Sequence, residues 1–187
     1  MCGGRGTRLR PEIEGEKPLL TVGGRPMIAH VLSALRESRI ETMYAAVSPA
    51  TPETAAFLET AENIHVIETA GEGYVADLGA ALDIVGSPVI TVTADLPLLA
   101  ADHVDRLITE YRGHSLSVCV PLSVAERVVE RVETTLDHEG TTVVPTGLNV
   151  VGESGDRRLS WDDRRLALNV NRPADRRQAN RWLSDST

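Results

Sequence analysis

Lysine is nearly absent from this 187-residue chain: Lys17 is the only one, and arginine supplies the rest of the 19 basic residues. Aromatics make up 3% of the sequence, so any core must be aliphatic. The two cysteines, Cys2 and Cys119, lie far apart with no metal-type spacing, which argues against a disulfide framework or a thiolate zinc site. A reduced, intracellular pair with Cys119 buried is expected instead. No apolar run is long enough to span a bilayer and no secretory signal is visible, so a cytoplasmic location is expected. Positive charge is in deficit, with a net charge of −8, which argues against nucleic acid as the main partner. Internal repeats and low-complexity stretches are missing. So are the two commonest nucleotide fingerprints. G-x-x-x-x-G-K-[ST] does not occur, and Gly4-Arg5-Gly6 is not completed by a glycine at position 9.

What is present is concentrated at the start. Met1-Cys2-Gly3-Gly4-Arg5-Gly6-Thr7-Arg8-Leu9-Arg10 packs three glycines around an arginine, and Glu16-Lys17-Pro18-Leu19-Leu20 follows. Glycine lets the backbone take positive φ and lets a ligand approach without a Cβ in the way. Successive N–H groups in such a turn form an anion nest. Arg5 and Arg8 add charge-assisted donors suited to phosphate oxygens. A chain that otherwise avoids lysine places Lys17 beside this loop, as suits a site needing a compact, mobile ammonium rather than a planar fork. Together with Gly23-Gly24-Arg25-Pro26-Met27, these segments read as a nucleotide-phosphate site. Because the overall field would repel a phosphate ligand, the local basic groups must draw it in.

The rest alternates short apolar runs with helical periodicity. Met27, Ile28, Val31, Leu32 and Leu35 recur at helical spacing after Pro26. Thr42 to Val47 reads as a strand. A helix follows to about Ala61, with Thr51 as its cap and Pro52 in its first turn. Ile64 to Ile67 reads as a strand, Tyr74 to Val85 as a helix, Val89 to Thr93 as a strand, Ala101 to Tyr111 as a helix and Leu116 to Val120 as a strand. Beyond Pro121 the pattern weakens. Gly147 to Val151 and Leu166 to Val170 suggest strands, and Pro173 to Leu183 a closing helix. The clusters Asp156-Arg157-Arg158 and Asp162-Asp163-Arg164-Arg165 read as solvated surface. This alternation predicts a single α/β domain over 1–187, a three-layer Rossmann-like arrangement of a mostly parallel sheet with helices on both faces. Ligands in such folds sit at the carboxyl ends of strands, where Ser48, Gly71 and Asp95 fall.

The loop, the K-P-L segment and the segments Ser48-Pro49-Ala50-Thr51-Pro52, Glu68 to Leu78, Thr93-Ala94-Asp95-Leu96, Val144 to Val151 and Leu168-Asn169-Val170-Asn171 resemble the nucleotidyltransferase superfamily. That superfamily includes sugar-phosphate nucleotidylyltransferases and the molybdenum-cofactor guanylyltransferase. The S-P-x-T-P and T-x-G-x-G-Y-x-x-D-L segments narrow the likeness to the archaeal GTP:adenosylcobinamide-phosphate guanylyltransferase branch. The likeness runs from Met1 to about residue 183.

The resemblance implies transfer of GMP from GTP to adenosylcobinamide phosphate, with pyrophosphate released. Gly3, Gly4, Arg5, Gly6, Thr7 and Arg8 would hold the triphosphate, with Arg8, Lys17 and Asp95 as the catalytic set. Lys17 would neutralise charge on the α-phosphate and the incoming phosphate. Asp95 and Asn171, with Asn169 nearby, would hold Mg²⁺. Ser48, Gly71, Gly73 and Asp77 would line the nucleoside side. A corrinoid phosphate is then the second partner, and homodimerisation is left open. Molybdopterin or sugar-phosphate nucleotidyl transfer, or a non-catalytic nucleotide-binding subunit, are the alternatives. Relatives place an apolar strand before the glycine loop, and here that first strand is missing or truncated. Either the chain as read starts inside the motif, which is the favoured expectation, or a shortened chain fills the gap in another way. Absence of that strand should cost backbone hydrogen bonds and expose an apolar groove.

Overall fold

A computed structural model describes residues 1–3, 9 and 15–184. Its strands are β1 (Thr21–Val22), β2 (Arg25–Pro26), β3 (Met43–Val47), β4 (Ile64–Glu68), β5 (Val89–Val92), β6 (His114–Pro121), β7 (Leu136–His138), β8 (Thr141–Val151) and β9 (Ser154–Ser160). The helices are α1 (Met27–Glu37), α2 (Pro52–Glu59), α3 (Tyr74–Val85), α4 (Ala101–Glu110), α5 (Leu122–Ala125) and α6 (Pro173–Ser184). None of these helices is long and apolar enough to cross a membrane.

The local reasons are visible in the sequence. Helix α1 turns Met27, Ile28, Val31 and Leu32 onto one buried stripe, as their spacing predicts. Helix α3 lies between Gly73 (φ 118°) and Gly86 (φ 79°), backbone that favours glycine at both ends. Strand β3 is buried at four of its five positions, as expected of a strand covered on both faces. It pairs in parallel with β4, from Met43 opposite Ile64 to Val47 opposite Glu68.

The second ladder runs β5-β8-β6-β9. Strands β5 and β6 each pair antiparallel with β8, and so run the same way as each other, while β9 is parallel to β6. The sheet is thus mostly parallel with β8 reversed inside it, and helices flank it. Its core is aliphatic: Val104, Leu107, Val118, Leu148 and Leu166 are fully buried against it. Cys2 and Cys119 are both buried, free thiols.

Met1 and Cys2 join the two ladders. The Met1 ammonium donates to Val92 O (2.9 Å), Ala94 N donates to Met1 O (3.3 Å), and Cys2 N donates to Ala46 O (2.8 Å). Past Met1 an apolar slot lies between β3 and β5, bounded by Leu32 and Ile28 on one side and Leu78 and Val85 on the other.

Three expectations are corrected. Leu166 to Val170 is not a strand. Leu166, Leu168 and Val170 are fully buried, but the segment is irregular and its backbone tie is Val170 N to Asp95 O (2.8 Å). Apolar alternation signalled burial there, with no sheet edge to pair with. Thr51 occupies the cap position of α2 without capping it, since its hydroxyl turns back to Ser48 O (3.2 Å). Of the two charge clusters, Asp156 to Arg158 is exposed as expected, and Asp162 to Arg165 is more than solvated surface. Asp156 to Arg158 lies in β9, exposed but paired, and Asp163 binds both His103 and Arg165.

Candidate active site

Three loops converge on Asp95, just past the end of β5. Its carboxylate carries two sets of bonds. Asn169 Nδ2 donates to Oδ1 (3.0 Å), and Lys17 Nζ donates to Oδ2 (2.7 Å). The same ammonium donates to Asn171 Oδ1 (2.7 Å). Lys17, Asp95 and Asn171, far apart in sequence, therefore meet at one point. Burial pushes the Asp95 carboxyl up, but the Lys17 charge, with the bonds from Lys17 and Asn169, outweighs it and holds the group below the usual carboxylate range. At neutral pH Asp95 is ionised.

A layer of partners fixes these groups. Asn169 also donates to Thr146 O (3.0 Å). The Asp175 carboxylate, in the first turn of α6, accepts from Asn171 N (3.0 Å) and Arg172 N (2.8 Å). Lys17 sits on a 3₁₀ turn, Lys17–Leu19, and the residue before it is a clamp. Glu16 accepts from Glu53 N (2.7 Å), Thr54 N (2.7 Å) and Thr54 Oγ1 (2.5 Å), tying the turn to the N-terminus of α2.

On the other side lie Gly3, Ser48 and the loop before α3. Ser48 Oγ donates to Gly3 O (3.0 Å). A Cβ on Gly3 would stand 3.0 Å from Ser48 Cβ, and one on Gly71 (φ +74°) 3.2 Å from the same atom. Both positions thus favour a residue without a side chain. Asp77 Oδ1 accepts from Gly71 N (2.9 Å), while Gly73 (φ +118°) faces open space. Asp77 holds the loop from beneath. Gly4, Arg5, Gly6, Thr7 and Arg8 lie outside the described residues.

Two clefts, of 370 and 360 Å³, open at this point. The first is lined by Gly3, Lys17, Gly71, Gly73 and Asp77, the second by Arg131, Asn149, Asn169, Asn171 and Arg172. Both are bordered by Tyr74, Thr93 and Asp95, so the carboxylate stands where they join. Burial, reinforced by the Asp95 charge, pushes the Tyr74 phenol up, so it stays a neutral hydroxyl at that junction. Such an arrangement can hold two ligands with their reacting ends together.

Sequence reading missed Glu16, Asp175 and the second cleft's arginines. Asp175 was findable, because it stands three residues after Arg172 at a helix start, a capping spacing. Glu16 carries no local signal, since its partners are 37 and 38 positions away.

Comparison with known proteins adds three findings. The model of the MobA-like NTP transferase domain matches residues 1–160. The adenosylcobinamide-phosphate guanylyltransferase of Methanocaldococcus jannaschii is 31% identical over 159 residues, covering 81% of this chain and 78% of that protein. Among solved structures, a nucleotidyl transferase from Methanothermobacter thermautotrophicus superposes with a TM-score of 0.71 at 14% identity, over 100% of this chain and 96% of that one. A CMP:2-keto-3-deoxy-manno-octonic acid synthetase complexed with CTP reaches 0.70 at 14% identity, over 91% and 92%. At those identities the two structures speak for the fold alone.

Proposed function

Since the chain belongs to the family of MobA-like NTP transferase domains, we propose that it transfers GMP from GTP to adenosylcobinamide phosphate, giving adenosylcobinamide-GDP and pyrophosphate. The acceptor follows from the similarity to the Methanocaldococcus enzyme. The observation that carries the two-substrate reading is the meeting of two clefts at Asp95. The cleft beside Gly3, Gly71 and Gly73 takes the nucleotide. The cleft beside Arg131 and Arg172 takes the corrinoid phosphate, whose charge suits those guanidinium groups.

In the reaction a phosphate oxygen of the acceptor forms a bond to the α-phosphorus, and the bond from that phosphorus to the α–β bridging oxygen breaks. Pyrophosphate leaves with the electron pair. No covalent enzyme group is required, so positioning and charge stabilisation do the chemistry. Lys17 neutralises the α-phosphate and the approaching phosphate. Gly3 through Arg8 hold the triphosphate with backbone N–H groups and guanidinium donors.

Mg²⁺ fits the donor set. Asp95 and Asn171 offer one carboxylate and one amide oxygen at a common point. Magnesium is commonly bound by one or two carboxylates with phosphate oxygens and water completing its shell. Among the described residues no group of three or more His, Cys, Asp or Glu converges, so the triphosphate would supply much of the shell. When bound, the ion offsets charge that builds up on the α-phosphate.

Pyrophosphate release tests the reading. The full chain with GTP and Mg²⁺ should release pyrophosphate with adenosylcobinamide phosphate, and not with a sugar 1-phosphate or molybdopterin. Release with either of the latter instead would overturn the acceptor. GTP binding without release for any acceptor would leave a nucleotide-binding subunit.

A further inference from the structure

Both oxygens of the Asp95 carboxylate already have partners. Oδ1 is bound by Asn169, which is itself tied to Thr146 O, and Oδ2 is bound by Lys17. Asn171 Oδ1 accepts its bond from the same Lys17 ammonium. The ammonium thus stands at the point where the Asp95 and Asn171 oxygens converge, 2.7 Å from each. A divalent cation taking those oxygens and the ammonium in this position exclude each other, by volume and by like charge. For the ion to take both the Asp95 and the Asn171 oxygen, the ammonium between them must leave. Asn169 is held through its Nδ2, which donates to both Asp95 Oδ1 and Thr146 O. Lys17 hangs on a flexible four-carbon stem, its side chain 15% exposed at the wall of the nucleotide cleft.

We propose that Lys17 is the exchangeable occupant of the cation position. Its ammonium holds Asp95 and Asn171 together, yields them to the divalent cation that arrives with the nucleotide, and moves to a phosphate oxygen. This rests on the reading of Asp95 and Asn171 as the Mg²⁺ residues. The exchange makes loading cooperative. The metal alone must push the ammonium into a cleft with no new anion to receive it. The triphosphate supplies that anion, so each ligand strengthens the other by the same factor.

The sequence makes the test clean. Lys17 is the only lysine, so the chain labelled with ¹⁵N-lysine yields a single side-chain ammonium signal. It is recorded alone, with Mg²⁺, with a non-hydrolysable GTP analogue, and with both, with calorimetry on the same samples. The expected result is a signal that stays in place with Mg²⁺ alone and shifts to a new position when both ligands are bound. In parallel, Mn²⁺ binding is measured by electron paramagnetic resonance. Lys17→Met should bind Mn²⁺ alone roughly tenfold tighter than the parent, as removal of one adjacent like charge predicts. It should also lose the coupling to the nucleotide, while Asp95→Asn abolishes Mn²⁺ binding in either background. Calorimetry showing both ligands bound while the Lys17 signal stays unmoved overturns the exchange and leaves the transferase reading standing. Mn²⁺ binding no tighter in Lys17→Met overturns it too. If the GTP analogue does not bind with Mg²⁺ at all, the transferase reading itself falls, and the exchange with it.

Discussion

At the residue scale a single ammonium ties the candidate site together. Lys17 is the one lysine, it reaches both Asp95 and Asn171, and its charge keeps Asp95 ionised against the cost of burial. Lys17→Ala is expected to lower turnover by about 10²–10³-fold, the loss typical when one preorganised charge donor is removed. Much of the GTP binding should survive; rapid-quench turnover and calorimetry separate the two, and an unchanged rate would remove Lys17 from the mechanism. Asp77 allows a sharper distinction. Its carboxylate holds Gly71 N, and Asn at that position could accept the same bond. Asp77→Asn should therefore leave GTP affinity near the parent value, whereas Asp77→Ala should weaken it by about tenfold, the equivalent of one lost hydrogen bond to a charged group. Equal weakening in both variants would mean that the charge itself contacts the nucleotide. Lys17 was legible in the sequence because its rarity and position were unusual. Asp77 was legible on the nucleoside side only through the T-x-G-x-G-Y-x-x-D-L likeness, since its bond to Gly71 depends on how the loop folds back.

At the scale of elements, the segment around Lys17 is held from outside the site. Glu16 stands just before the 3₁₀ turn and closes three bonds onto the start of α2. The capping group of α2 thus comes from a distant segment, although the sequence offers Thr51 at the usual position. Glu16→Ala should cost about 1–2 kcal/mol of stability through lost capping and helix-dipole stabilisation. It should also lower kcat, because Lys17 loses its anchor. Glu16→Gln, which keeps an accepting oxygen, should recover part of both. A melting curve paired with a kcat measurement checks this, and a stability loss with kcat untouched would limit Glu16 to α2. The elements themselves were readable wherever the period was clear, as in α1, α3 and β3. Strands β7 and β9 were not, and of β8 only Gly147 to Val151 was, because β8 carries polar residues along an antiparallel ladder and β9 is exposed along most of its length. The Leu166 to Val170 segment shows the converse error. Its apolar residues fill the core beside Asn169 and Asn171, and burial alone does not make a strand.

Across the whole molecule, the response to acid should be set by two histidines that do not line the candidate clefts. His103 is buried at the start of α4. Its Nδ1 accepts from Ala100 N (3.0 Å) while Nε2 bonds Asp163 Oδ2 (3.0 Å), which requires the neutral ring with its proton on Nε2. Burial lowers its pKa, with the Arg165 charge adding to that, and the bond to Asp163 only partly opposes it. His30 is lowered as well, chiefly by burial, against its bond to Val22 O. A base whose folded pKa lies below its unfolded value refuses protons that the unfolded chain accepts. Stability is then greatest above the ordinary histidine value near 6.5 and falls as pH drops below it, by up to about 1.4 kcal/mol per pH unit for each refused proton. Asp175, raised by burial, acts in the opposite sense in a window beginning at the ordinary carboxylate value, and Asp163, held far down by Arg165 and His103, contributes its loss only in stronger acid. The melting temperature should therefore decline between about pH 7.5 and 6, the range in which the ordinary histidine value falls. His103→Gln should flatten that slope even if it lowers the melting temperature throughout, because the slope counts protons and not contacts. A slope unaltered by His103→Gln would place the acid sensitivity elsewhere in the fold.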